Sequence, residues 1–321
     1  MRVGIIDCGT NTFNLLIAEV SADGWSGIFV GKISVRLGKG GLAQGLIRPE
    51  RLARGLDALC VHRETMINYD VEECIVLATA AVREASNAHD FIRRTRELTG
   101  LEMMVIDGMR EADLIYCGVA QTIDLTEEYI TVMDIGGGST EFIIANAEGV
   151  AWKQSFPLGV ARIQEYLNPD ETLSPEDTER LLASFASVLA PLREALQSYP
   201  SAKLVGASGS FDTLVSMYHS SGDQPKRKKH EANAIPLDAF NTLHQQLLQS
   251  SLEERLAMPG MLPMRAETMH LATLLIDFVL KSARFEHLCQ SNYALKEGAL
   301  ERARAGKLKL QVLRSLHDQN A

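Results

Sequence analysis

One device occurs twice in this chain, and the repetition limits the fold more than any other feature. Val3-Gly4-Ile5-Ile6-Asp7-Cys8-Gly9-Thr10-Asn11-Thr12 and Val132-Met133-Asp134-Ile135-Gly136-Gly137-Gly138-Ser139-Thr140-Glu141 are each an apolar run closing on Asp. A turn of glycine and hydroxyl residues follows, then a second apolar run (Phe13 to Val20; Phe142 to Ala145). Glycines let backbone N–H groups converge on an anion, and hydroxyls add donors. An Asp beside such a turn is placed to hold a divalent cation against a phosphate. A lone match of this kind is usually only a turn. Two with the same grammar, each opening half of the chain, predict an internal duplication and two similar domains.

The 321 residues suit two domains better than one core. We expect domains at about 1–125 and 126–303, with a terminal helix at about 304–321 packing back on the first. An apolar fraction of 46% with 23% charged residues is ordinary for a globular protein. No run approaches the roughly 20 apolar residues of a membrane helix. The N-terminus enters a strand directly, so neither a signal peptide nor a membrane partner is expected. Cys8, Cys60, Cys74, Cys117 and Cys289 are scattered without metal or disulfide spacing, which points to a reducing cytoplasm. The net charge of −9 argues against nucleic-acid binding. Lys226-Arg227-Lys228-Lys229-His230 is the local exception, either a solvated loop or a landing patch for a polyanion.

The pattern predicts strands at 2–7, 13–20 and 26–35, then a helix begun by Pro49 with Leu52, Leu56, Leu59 and Cys60 on one face. A strand at 73–78 follows, then a helix capped by Ser86 or Asn87 with Phe91, Ile92, Thr95 and Leu98 inward. A strand at 103–106 and a helix at 111–123 close the first half. The second half restarts with strands at 130–134, 141–146 and 150–156. Ser174-Pro175-Glu176-Asp177 starts a helix, and 203–205 is a strand leading into Gly206-Ala207-Ser208-Gly209. The order implies two α/β domains with mixed sheets and a cleft between them.

Further residues bear on chemistry. Arg83 follows a strand, where α/β sheets bind ligands, and its fork suits phosphate. Glu111 opens a helix after another strand. It is either a partner for the helix dipole or a general base for a water. Glu141 directly follows the second glycine turn and faces either the cleft beside Asp134 or solvent. No P-loop and no H-E-x-x-H occurs.

Taken in order, Asp7-x-Gly9-Thr10-Asn11-Thr12, Ala78-Thr79-x-x-x-Arg83, Gly108-x-x-Glu111-Ala112, Asp134 through Glu141 and Gly206-Ala207-Ser208-Gly209 closely resemble the exopolyphosphatase / guanosine pentaphosphate phosphohydrolase family. Pro263-Met264-Arg265-Ala266-Glu267 and Ala294-Leu295-Lys296-Glu297-Gly298 look like its later landmarks. The resemblance runs from residue 3 to about 300 and is most specific at Asp134 to Glu141. It implies two ribonuclease-H-like domains of the actin, sugar-kinase and chaperone-ATPase superfamily around a central cleft, in the family's short two-domain form. It further implies release of terminal phosphate from inorganic polyphosphate, or of the 5′ γ-phosphate from guanosine pentaphosphate, with Mg²⁺ or Mn²⁺.

By the same resemblance Glu111 is the catalytic base, while Asp134 and Glu141 hold the metal and position water, with Asp7 as a further metal ligand. Phosphate would be held by Thr10, Asn11, Thr12, Arg83, Gly136, Gly137, Gly138, Ser139, Thr140, Ser208, Gly209 and Arg265. Departures exist: Thr10 and Thr12 stand where serines are usual, Arg110 replaces an acidic residue, and Glu267 replaces Asp. The rival expectations are a small-molecule kinase of the same superfamily and a non-catalytic sensor of polyphosphate or an alarmone. The sequence leaves the preferred substrate and the oligomeric state open, with a homodimer among the states it allows.

Overall fold

The computed structural model describes residues 1–165, 167, 172–220, 222 and 231–313. The basic run 226–230 lies outside them, as does 314–321. In chain order the elements are β1 (Arg2–Cys8), β2 (Thr12–Val20), β3 (Trp25–Ser34), α1 (Pro49–Asn68), β4 (Glu73–Ala78), α2 (Ala80–Arg83), α3 (Ala88–Thr99), β5 (Met103–Val105) and α4 (Gly108–Val119). There follow β6 (Tyr129–Ile135), β7 (Thr140–Asn146), β8 (Gly149–Phe156), α5 (Val160–Glu165), α6 (Pro175–Val188), α7 (Ala190–Ser198), β9 (Ser201–Ala207) and α8 (Ser208–Ser220). The remainder is β10 (Asn233–Ile235), α9 (Leu237–Gln249), α10 (Leu252–Ala257), α11 (Met269–Ser282), β11 (His287–Gln290), α12 (Leu295–Arg304) and β12 (Gln311–Val312).

The chain forms two compact units, Met1–Gly118 with the segment from Leu295 onward, and Val119–Ala294. In the first, the sheet runs β3-β2-β1-β4, with β5 and β12 both on the far side of β4. β1 is antiparallel to β2 and parallel to β4, and β4 is parallel to β5. In the second, the order is β8-β7-β6-β9-β11-β10, with β6 antiparallel to β7 and parallel to β9, and β9 parallel to β11. The two sheets therefore share one topology, three antiparallel strands followed by two parallel ones, which is the ribonuclease-H-like mixed sheet. The central strands β1 and β6 are buried on both faces, as helix-covered strands must be.

Register makes the duplication residue-exact. Asp7 pairs with Asn14 across β1–β2 and with Leu77 on β4, while Asp134 pairs with Glu141 across β6–β7 and with Ala207 on β9. Close packing uses glycine where the sheet meets its helix: a Cβ on Gly4 would come within 2.4 Å of the Met66 sulfur on α1. The second unit's core gathers Met133, Ile135, Phe142 and Ile144 from the sheet with Phe211, Leu214, Phe240 and Leu275 from α8, α9 and α11.

Several expectations need correcting. The terminal helix expected at 304–321 is not formed over the described residues. α12 ends at Arg304, Gly306 takes φ 69, and Gln311–Val312 pair antiparallel with β4 as a sheet strand. The Gln311 side-chain amide locks that strand by bonding both the N–H (2.9 Å) and the carbonyl (3.0 Å) of Glu102. α12, counted with the second half from sequence, packs instead on β1 and β2 of the first unit. Gly298 lets α12 also lie against α4, because a Cβ there would meet the Leu114 carbonyl. Leu98, expected inward, is 51% exposed. Asn87 does not cap α3 with its side chain; it pairs with the backbone N–H and carbonyl of Ile47, at 2.9 Å each. The Ser174 cap is present, accepting from the Asp177 N–H at 3.0 Å. Among the described residues no helix is long and apolar enough to cross a membrane.

Candidate active site

The expected residues of the first unit collect after the carboxyl ends of β1, β4 and β5, where an α/β sheet presents its loops to ligand. The first turn is closed by the Gly9 N–H donating to the Thr12 carbonyl at 3.1 Å. The Thr10 carbonyl accepts from Gly38, and the Asn11 carbonyl from Val35 and Arg36. In a trans peptide the next residue's N–H points opposite to its carbonyl, so those of Asn11 and Thr12 turn away from the 35–38 segment. Asp7 Oδ2 accepts from Asn14 Nδ2 at 2.9 Å. Burial pushes the Asp7 carboxyl above the usual carboxylate range, against the pull of nearby Lys296 and the Asn14 bond. Glu111, 7% exposed in the first turn of α4, receives Arg83 Nη1 at 2.9 Å. The sequence places Arg83 among the phosphate ligands. In the structure it also binds the expected base.

The second unit repeats the turn with more acid. The Gly136 N–H donates to the Ser139 carbonyl at 2.9 Å, the counterpart of the Gly9–Thr12 bond. The N-terminal amides of α5 hold the turn's carbonyls: Val160 to Gly136 (3.0 Å), Ala161 and Arg162 to Gly137 (2.9 and 3.1 Å). Arg162 Nε takes the Gly138 carbonyl at 3.0 Å. The N–H groups of Gly137, Gly138 and Ser139 consequently point the other way, and among the described residues nothing accepts from them. Buried donors of this kind are normally paired, and a row of them is what an anion needs. Thr140 belongs to the frame of this turn, since its hydroxyl donates to the Leu158 carbonyl at 2.6 Å.

Asp134 and Glu141, 6% and 1% exposed, are direct cross-strand partners and so share one face of the sheet. Ser208 Oγ donates to Asp134 Oδ2 at 2.7 Å and Ser155 Oγ to Glu141 Oε1 at 2.6 Å. Ser208, the first residue of α8 directly after β9, sits at φ 66, a conformation costly for a residue with a Cβ. The Arg265 guanidinium lies on Gly209 so closely that a Cβ there would come within 2.1 Å of Nη2. Burial lowers the Arg265 pKa, while Asp212 and Asp134 pull it back.

The donor set fits a hard divalent cation. Two carboxylates facing each other on neighbouring strands repel, and a cation between them would offset that repulsion. Among the described residues no group of three or more His, Cys, Asp or Glu forms a ready cage. Mg²⁺ needs none, because it binds through one or two carboxylates with water and substrate phosphate.

Sequence reading missed Ser155, Asn14, Arg162 and Gly159. Asn14 was recoverable, since it stands at Glu141's position in the first repeat. Ser155 needed the β7–β8 register, which pairs it with Glu141.

Fold and turns together define a two-unit protein of the ribonuclease-H-like class, each unit with its own glycine and hydroxyl turn. The model of the Ppx/GppA phosphatase family matches residues 16–304, and the chain belongs to that family. An exopolyphosphatase from Cytophaga hutchinsonii is similar at 37% identity and a TM-score of 0.92, over 96% of this chain and 99% of that one. The Aquifex aeolicus family member shares the fold at 23% identity and a TM-score of 0.78, over 96% and 98%.

Proposed function

We propose that this protein is a divalent-cation-dependent phosphoanhydride hydrolase that releases terminal orthophosphate from inorganic polyphosphate, from the 5′ end of guanosine pentaphosphate, or from both. The carrying observation is the buried Asp134–Glu141 pair beside a turn in which the N–H groups of Gly137, Gly138 and Ser139 meet no acceptor among the described residues. Family membership and the likeness to an exopolyphosphatase support the substrate class. The five free cysteines support a reducing, cytoplasmic setting.

In this reading Asp134 and Glu141 of the second unit would hold Mg²⁺ or Mn²⁺, and Asp7 is the first unit's candidate metal ligand. The cation would neutralise charge on the phosphate oxygens. In the second unit the N–H groups of Gly137, Gly138 and Ser139, with Ser208 and Arg265, are the candidate ligands of phosphoryl oxygens, and in the first unit Asn11 and Arg83 are. Glu111, held by Arg83, orients a water and accepts its proton as the oxygen joins phosphorus and the shortened chain leaves. Such transition states are loose, so positioning and electrostatics do most of the work.

The test is phosphate release with Mg²⁺ from short polyphosphate, long polyphosphate, guanosine pentaphosphate and ATP, wild type beside Glu111→Ala. Release that needs Glu111 supports the hydrolase, and the best substrate names the branch. Binding without release from any of the four would defeat it in favour of a sensor.

A further inference from the structure

Arg255 on α10 is 1% exposed. Burying a guanidinium costs several kcal/mol unless its donors are used well. Here Nε donates to the Ala266 carbonyl at 2.8 Å and Nη1 to the Ser250 carbonyl at 2.6 Å. The adjacent Glu254 is exposed and takes part in the capping box with Ser251 at the start of the helix. The buried cation therefore joins two stretches of backbone, the end of α9 and the residue that follows Arg265.

Other contacts fix the same segment. Gly260, at φ 79, lies against α8, where a Cβ would be 2.4 Å from the Ser216 carbonyl. The Arg265 N–H donates to the Leu262 carbonyl at 2.8 Å, and the Thr268 N–H to the Arg265 carbonyl at 2.9 Å. Between these anchors a short 3₁₀ turn, Pro263–Arg265, delivers the Arg265 guanidinium onto Gly209 at the start of α8. A long side chain such as that of Arg265 has rotamer freedom to lose, even where its guanidinium is packed away from solvent. Fixing its backbone on both sides lowers what must be ordered when an anion binds.

We propose that Arg255 is a positioning residue for phosphate binding, acting through the Ala266 carbonyl to hold Arg265 in place. The inference rests on the functional reading above, in which Arg265 holds phosphate. Arg255 touches no substrate in this account.

The experiment measures tripolyphosphate binding by calorimetry with Mg²⁺, every protein carrying Glu111→Gln so that turnover plays no part. Arg265→Ala is expected to weaken binding about 10- to 100-fold, the worth of a hydrogen bond to a charged group. Arg255→Met should weaken it about tenfold or more at unchanged secondary structure, and Arg255→Lys, which retains the charge and one reach, by less. Combining either Arg255 variant with Arg265→Ala should weaken binding no further than Arg265→Ala alone. If Arg255→Met does not fold, Arg255→Lys and its combination with Arg265→Ala carry the same comparison. A merely structural role predicts that the losses multiply, and multiplying losses, or Arg255 variants that bind as the parent does, overturn the inference alone. A parent that binds no tripolyphosphate overturns the functional reading, and this inference with it.

Discussion

Arg83 donates from one nitrogen, Nη1, both to Glu111 Oε2 and to the Ile106 carbonyl, at 2.9 Å each. The carbonyl bond fixes the guanidinium to the end of β5, so the carboxylate it holds is fixed too. We expect Glu111→Ala to lower kcat by roughly 10²–10⁴, the usual worth of a general base. Arg83→Ala should lower it by a smaller factor, and the double variant should lose less than the product of the two, since without the base only the phosphate contact of Arg83 is left to remove. Steady-state kinetics on the three proteins decides. A Glu111→Ala enzyme with more than half its activity removes the base assignment.

The cross-strand pair Asp134–Glu141 gives a prediction that does not depend on turnover. Like charges directly opposite on a sheet destabilise it, and a ligand bound only by the folded state stabilises it. Added Mg²⁺ or Mn²⁺ should therefore raise the melting temperature of the wild type. Asp134→Asn and Glu141→Gln should melt no lower than wild type in a chelator and gain little from the cation. Thermal scans with and without cation show it. Variants that respond as fully as wild type would move the metal elsewhere.

Those two carboxylates show where sequence was sufficient. A strand grammar repeated at fixed spacing gave both turns, both aspartates and the equivalence of the two sheets. What it could not give depends on partners far away in the chain. Sequence offers Arg83 as a phosphate ligand or an exposed helix-surface residue, and its bond to Glu111 appears only when β4 and β5 lie side by side. Leu308, Leu310 and Val312 alternate with polar residues at the period of a strand, so the pairing of Gln311–Val312 with β4 was legible and the helix expected there had no helical spacing behind it. Arg255 is invisible, because a lone arginine in a charged helix start reads as solvated, and its burial is decided by α9 and the Ala266 carbonyl.

Buried histidines set a pH dependence of stability. His270 is 4% exposed, and burial first, then the neighbouring Arg255, lowers its pKa to about 3. Burial also lowers His62 and His244. The unfolded chain titrates near the ordinary value of about 6.5. Between that value and the lowered one it binds protons that the folded chain refuses, so stability is full above about 6.5 and falls with falling pH. For His270 alone the loss from pH 7 to pH 5 is about 2 kcal/mol. Asp7, raised by burial, favours the folded state in the opposite sense, in the acid range above the ordinary carboxylate value. Urea titrations at the two pH values, on wild type and His270→Leu, measure the effect. A pH dependence unchanged by that substitution would refute it.

Gly159 tests whether the second turn's N–H groups carry phosphate. A Cβ there would fall 2.2 Å from the Gly137 carbonyl carbon and oxygen and 2.3 Å from the Gly138 nitrogen. Relief requires the turn or the start of α5 to move, and the bonds from Val160, Ala161 and Arg162 move with it. Those bonds are what aim the opposing N–H groups. Reacting groups displaced by about 1 Å can cost 10²-fold in rate. Gly159→Ala should therefore cut kcat/KM by about that factor while leaving the first unit's Arg83–Glu111 pair unaltered. Gly149→Ala is the comparison, the glycine that opens β8 at φ 126 with nothing within 4 Å of its added methyl. It should cost stability through backbone strain and leave kcat/KM nearly untouched. Equal losses of activity in the two variants would mean that the glycine turn is scaffold and that phosphate is held elsewhere.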